Sequence, residues 1–211
     1  MTVDPLRLSE LLCARLLHDL AGPMGALANG AELLADDPDP DTVREAGALV
    51  GATAQQLARR LRLFRAAFGW EGGAPADPQE AGRLLKDHLA PLDGQAETLR
   101  LEWRAPTAGL SRPQIKLALL LALMAAESLP RGGELAVEIG PQAIVVGARG
   151  VGAKLETSQA AILKGEEPAE LSPRNALGLA VRFLTNSVKG YLVIEEAKDH
   201  IMLRVGLEQP K

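Results

Sequence analysis

The segment His18-Asp19-Leu20-Ala21-Gly22-Pro23 puts an imidazole directly before a carboxylate and, after three further residues, a proline. A ring nitrogen of histidine is a nucleophile, and an ordinary histidine pKa of about 6.5 leaves much of the ring neutral at cellular pH. With a carboxylate at hand to orient the ring or take its other proton, His18 is a candidate phosphoacceptor and Asp19 a candidate orienting or acid–base partner. Such chemistry requires an accessible nitrogen on a rigid support.

The support is a helix. Leu8, Leu12, Leu16, Leu20, Met24, Leu27, Ala31 and Leu34 recur at steps of three or four and draw one apolar stripe. At about 100° per residue, His18 falls roughly opposite that stripe, with Gly22, Gly25, Asn29, Glu32 and Asp36. Glycine costs a helix up to about 1 kcal/mol against alanine, so Gly22 and Gly25 point to a surface that another backbone approaches closely. Arg15, Gly22, Gly25 and Asn29 are therefore expected to form the docking surface around His18, and Pro23 to kink the helix one turn beyond it. Cys13 falls on the apolar stripe and is expected to be a buried thiol.

Asp36-Asp37-Pro38-Asp39-Pro40 breaks the pattern, and Thr42-x-x-Glu45 offers a capping box for a second helix. Val43, Ala46, Val50, Thr53, Leu57, Leu61, Phe64 and Phe68 share one face of it, while Arg59, Arg60, Arg62 and Arg65 make its far end basic. Two helices cannot bury such faces alone, whereas two hairpins about a two-fold axis close a four-helix bundle, so a homodimer is expected.

Trp70-Glu71-Gly72-Gly73-Ala74-Pro75-Ala76 shifts to turn-forming composition. The chain thus reads as a helical hairpin over 1–70, a linker over 71–76, and a second domain over 77–211. In that domain the pattern gives a helix near 77–90, a strand near 98–104, a helix near 111–128, strands at 134–139 and 143–146, a glycine segment, a helix near 173–188, and strands at 191–196 and 200–207. Helices grouped beside an antiparallel sheet make a two-layer α/β sandwich, so the fold class is α plus α/β.

A hairpin carrying His-Asp-x-x-x-Pro, followed by this order of elements, resembles the dimerisation and catalytic core of a sensor histidine kinase over nearly the whole chain. The segment from Ser9 to Gly30 is similar to that of the ChpT-like histidine phosphotransferases of alphaproteobacteria, which are relay proteins. The kinase pattern holds nucleotide with an asparagine-rich helix and an Asp-x-Gly-x-Gly segment. Here Leu119 to Pro130 carries hydrophobic residues in place of the asparagines, with Met124 at the metal-ligand position, and Ala148 replaces the aspartate of Ala148-Arg149-Gly150-Val151-Gly152. A thioether is a poor magnesium ligand.

The resemblance therefore implies phosphoryl transfer through His18 between receiver-domain aspartates, without ATP and with magnesium supplied by the receiver. The partners implied are receiver domains of a hybrid histidine kinase and of downstream response regulators. Gly22 stands where bifunctional kinases carry a residue that positions water, which implies weak phosphatase activity. Two alternatives stay open: a soluble histidine kinase with an atypical nucleotide site, and a non-catalytic adaptor that binds receivers. The second domain would extend the docking surface or stabilise the hairpin, its vacated groove filled by side chains such as Met124.

Composition excludes other classes. A formal charge of −4 and 3% aromatic residues give no nucleic-acid surface. No window approaches the roughly eighteen apolar residues of a membrane helix. The single cysteine cannot make an internal disulfide, and the start MTVDPLRLSE lacks a basic stretch followed by an apolar run, so a cytoplasmic protein is expected. His88 and His200 read as surface or packing residues without metal-ligand spacing.

Overall fold

The structure is a computed structural model that describes residues 4–36, 38–69, 75, 77–91, 98–107, 109–166, 168 and 170–207. The expected linker at 71–76 lies outside the described residues except for Pro75.

Two helices form the expected hairpin, α1 (Pro5–Ala35) and α2 (Pro40–Phe68). Both begin with the pair Asp-Pro. Proline fits the first helical position, where its missing N–H would have no partner, and the preceding aspartate caps the exposed donors. Asp4 accepts from the Leu6 N–H at 3.3 Å; Asp39 accepts from the N–H groups of Asp41 and Thr42 at 2.9 and 3.1 Å. The start of α2 is thus Asp39-Pro40, not the capping box expected at Thr42–Glu45. Thr42 instead donates its hydroxyl to Asp39 at 2.6 Å. Helix α1 continues through Pro23.

Glycines divide α1 into two kinds of surface. Gly30 is buried against α2, where a Cβ would stand 2.5 Å from Val50 Cγ2, so the crossing depends on its missing side chain. A Cβ at Gly22 or Gly25 would meet nothing within 4 Å. The apolar stripe is also split. Leu12, Leu16, Leu20, Leu27 and Leu34 are half-buried, but Met24, counted on that stripe, is exposed, as is Ala31. Cys13 is exposed too, contrary to the expected buried thiol, because it shares a direction with Leu17 and Met24, away from the rest of the chain.

The second part comprises α3 (Pro78–Leu89), β1 (Leu99–Arg104), α4 (Arg112–Glu127), β2 (Gly133–Ile139), β3 (Ala143–Arg149), α5 (Thr157–Lys164), a 3-10 turn at Pro173–Asn175, α6 (Ala176–Ser187), β4 (Tyr191–Ala197) and β5 (His200–Gly206). The sheet runs β1-β2-β3-β5-β4. It is mixed rather than antiparallel: β1 is parallel to β2 because α4 crosses over between them, while the hairpins β2–β3 and β4–β5 and the pair β3–β5 are antiparallel. One row of side chains, Trp103, Val137, Val146, Leu203 and Ile194, crosses all five strands in register on the helix-covered face.

Helix α4 is the core. Every residue from Leu117 to Ala125 is buried, as a helix apolar on all sides must be. Each leucine fully removed from water contributes about 1.5–3 kcal/mol. Leu63, Ala66 and Ala67 from the end of α2 belong to the same core, so the hairpin and the α/β part are joined by continuous packing. Among the described residues no helix is long and apolar enough to cross a membrane.

The two kinds of glycine should respond oppositely to substitution. In thermal or chemical denaturation Gly25→Ala is expected to raise stability by about 0.5–1 kcal/mol. Gly30→Leu, which drives a side chain into Val50, is expected to lower it by about 1–3 kcal/mol; equal effects would refute the assignment of the hairpin crossing to Gly30.

Candidate functional site

Leu11, Arg15, His18, Gly22, Gly25 and Asn29 follow one another at steps of four and three, and so share one stripe of α1. Leu11 is only 4% exposed and packs among Ile162, Ala176 and Leu179 of α5 and α6. Arg15, one turn on, is still held by the α/β part, and at His18 the stripe comes free. The His18 side chain is 87% exposed. Gly22, Gly25 and Asn29 continue the stripe as open surface.

Polar contacts fix the neighbourhood of His18. Its Nδ1 lies 3.4 Å from Asp19 Oδ1. The other Asp19 oxygen faces the guanidinium of Arg15, at 3.8 Å from Nε. That guanidinium also donates to the Glu127 carboxylate at the end of α4 and, at 3.3 Å, to the Arg174 carbonyl. Gln159 donates to the same carbonyl at 3.0 Å. Asn175, buried beside it, donates to the Glu170 carbonyl at 2.8 Å and accepts from the Ser172 N–H at 3.0 Å, which holds the turn carrying Arg174 in place.

The proline of the hexapeptide has a direct consequence here. Pro23 has no N–H, so the carbonyl four residues earlier, that of Asp19, loses its helical donor. Arg60 of α2 donates to that carbonyl instead. Asp19 is thereby held at its backbone by one arginine and at its carboxylate by another.

Two cavities flank this arrangement. A cleft of about 1070 Å³ opens beside His18, lined by Arg15 and Asp19 of α1, by Met124 and Glu127 of α4, and by Lys154 to Thr157 and Gln159. Burial raises the pKa of Glu127, opposed by the nearby Arg15 cation; the Asp19 charge raises it further, and hydrogen bonds from Arg15 and Gln159 lower it. A second cavity of about 380 Å³ lies on the other side of Arg15, among Asp19, Arg60, Phe64, Phe68 and His88. The His88 ring is half-buried, its centroid 6.3 Å from that of Phe64.

The segments compared above with the kinase nucleotide pattern are inward-facing or internally bonded. Met124 is 1% exposed at the edge of the large cleft, and Ala148 is wholly buried in the sheet. The glycine segment is a turn against Asp199, whose side chain accepts the Gly152 N–H at 2.8 Å and whose carbonyl accepts the Gly150 N–H at 3.0 Å.

Of the residues singled out in the sequence, His18 and Asp19 stand together, and Gly22, Gly25 and Asn29 lie on the same open stripe. Arg15 is different: expected on the docking surface, it turns inward, with its side chain 14% exposed and engaged by Glu127 and the Arg174 carbonyl. Arg60, one of the basic group on α2, turns inward as well. Glu127, Gln159 and Arg174 carry no local signal, since Glu127 lies 112 positions from Arg15 and Arg174 lies 159 positions away.

An exposed histidine on a helical hairpin, seated by that hairpin on a two-layer α/β domain, defines the class. The histidine phosphotransferase C-terminal domain matches residues 78–200, more than half of the chain, and the chain belongs to that family. It is 32% identical over 141 residues to the protein phosphotransferase ChpT of Brucella abortus (strain 2308), a match covering 66% of this chain and 64% of that relative. The chain therefore matches slightly less than two thirds of that relative's length. The fold superposes on a bacterial phosphotransferase structure with a TM-score of 0.83 and 24% identity, covering 97% of this chain and 98% of the other.

His88 gives the site a pH signature. Burial, reinforced by the Arg60 cation and partly opposed by the Asp19 charge, lowers its pKa from 6.5 to about 4. The unfolded chain therefore binds this proton more tightly than the folded one. The resulting stability is complete above pH 6.5 and is lost as pH falls through about 4. Denaturation across that window should show a loss of about 2 kcal/mol in the native chain that is largely absent in His88→Phe; an equal loss in both would assign the effect elsewhere.

Proposed function

We propose that this chain is a cytoplasmic histidine phosphotransferase that passes a phosphoryl group between receiver-domain aspartates through His18. The carrying observation is the exposed imidazole of His18 beside the Asp19 carboxylate, on a stripe that Gly22, Gly25 and Asn29 leave open for a partner. Family membership supports the same reading.

With the Asp19 carboxylate 3.4 Å from Nδ1 as the acceptor, the ring proton is assigned to Nδ1, which leaves the Nε2 lone pair as the nucleophile. Nε2 attacks the phosphorus of a receiver's aspartyl phosphate in line. A P–N bond forms as the P–O bond to the aspartate breaks, and the aspartate leaves as carboxylate. The proton on Nδ1 stays on the ring, where Asp19 stabilises the positive charge that develops. Transfer to a second receiver reverses these steps. Positioning and electrostatics carry most of such a reaction, and the receiver's own magnesium neutralises the phosphoryl oxygens.

The α/β part supports this chemistry without nucleotide. The apolar character and burial of Met124 and Ala148, and the use of the Gly152 N–H by Asp199, favour relay over an ATP-consuming kinase.

The active unit is a homodimer. Leu17 and Met24 on α1 and Val43 and Leu61 on α2 are 64%, 58%, 46% and 43% exposed, an apolar surface suited to a second hairpin. Sedimentation equilibrium should give twice the 22.3 kDa chain mass, and Leu17→Asp combined with Leu61→Asp should give one chain mass. A monomeric native chain would overturn the dimer.

Mixed with a phosphorylated cognate receiver, the chain should acquire acid-labile label. His18→Gln should keep receiver binding while losing at least about 100-fold in transfer rate. Label taken directly from ATP would establish a kinase, and undiminished signalling by His18→Gln an adaptor.

A further inference from the structure

Arg15 is shared between two carboxylates. Its Nη2 donates to Glu127 and its Nη1 to the Arg174 carbonyl, while Nε faces Asp19 at the longer distance of 3.8 Å. This division matters for His18. An arginine free of Glu127 would close on Asp19 with both arms of its fork, the geometry that guanidinium and carboxylate prefer. The Asp19 oxygen now facing His18 Nδ1 at 3.4 Å would then be drawn to the cation. Glu127 and the Arg174 carbonyl hold the guanidinium back, so that one Asp19 oxygen remains for the imidazole.

We propose that Glu127 is a positioning residue for the phosphoacceptor: acting through Arg15, it keeps Asp19 on the Nδ1–H of His18 and so fixes the ring tautomer that exposes Nε2. Glu127 touches neither His18 nor a transferred group. The α/β part thereby has a direct task at the site. It sets the protonated nitrogen of a histidine carried on another element, in addition to any surface it offers a partner. The role of the ring in transfer rests on the relay reading above; the tautomer itself does not.

The test is long-range ¹⁵N–¹H correlation NMR of the His18 ring in the full-length chain at alkaline pH. Wild type should show mainly the Nδ1–H form, and Glu127→Gln should move the population toward the Nε2–H form that free histidine favours. Arg15→Lys, whose ammonium lacks the fork that Glu127 and the Arg174 carbonyl hold back and is free to close on Asp19, should do the same. With a phosphorylated receiver as donor, Glu127→Gln should lower the maximal transfer rate about tenfold and change half-saturation less than about twofold. A wild-type ring already in the Nε2–H form, or an unchanged ring in either folded variant, overturns the proposal. A shifted tautomer in a chain that accepts phosphate from no receiver would uphold the positioning and overturn the relay.

Discussion

The first helix must lie against the α/β part in one rotational setting, and the contact between Leu11 and the pocket of Ile162, Ala176 and Leu179 sets it. Leu11 and His18 are seven residues apart, almost two full turns and about 10 Å along one stripe. Docking the first therefore determines where the second emerges. Magnitudes separate the two anchors. Burying Leu11 is worth about 1.5–3 kcal/mol, whereas a partly exposed ion pair such as Arg15–Glu127 contributes about 1 kcal/mol or less. Leu11 holds the helix; Arg15 adds direction.

Direction is also supplied from within the hairpin. A proline in a helix interior normally costs stability through a lost hydrogen bond and a clash with the preceding turn. At Pro23 the carbonyl left over belongs to Asp19, and Arg60 takes it up. The same residue offers its carboxylate to Arg15 and to His18. A backbone defect, two arginines and a glutamate from a distant helix thus converge on the residue next to the imidazole. His18 itself is left without packing, as a side chain that must meet a partner has to be.

Much of this was legible in the sequence, and for a definite reason. Helical periodicity is a local property, so the hairpin, the polar setting of His18 and the order of most strands and helices follow from short-range patterns. The eight-residue α5 is too short to display a period; its Glu156 cap and the left-handed Gly165 that ends it are the marks it leaves in the sequence. The sheet is mixed where the pattern suggests an antiparallel one, because pairing direction depends on where α4 crosses, which spacing alone does not show. Met24 and Cys13 share the apolar stripe by spacing yet are exposed, because periodicity reveals which residues share a face without revealing what covers it. In the sequence Arg15 reads as a docking residue and Glu127 as an ordinary helix residue. Their meeting arises only when α1 is seated on the end of α4.

The central claim is that one histidine of the three in the chain, the exposed His18, receives the phosphoryl group. Mapping the phosphate by tandem mass spectrometry under alkaline conditions, after reaction with a phosphorylated receiver, addresses it directly. The predicted result is phosphate on His18 and on neither His88, half-buried beside Phe64, nor His200. Phosphate found on His88, on His200 or on a carboxylate of the chain would contradict the account.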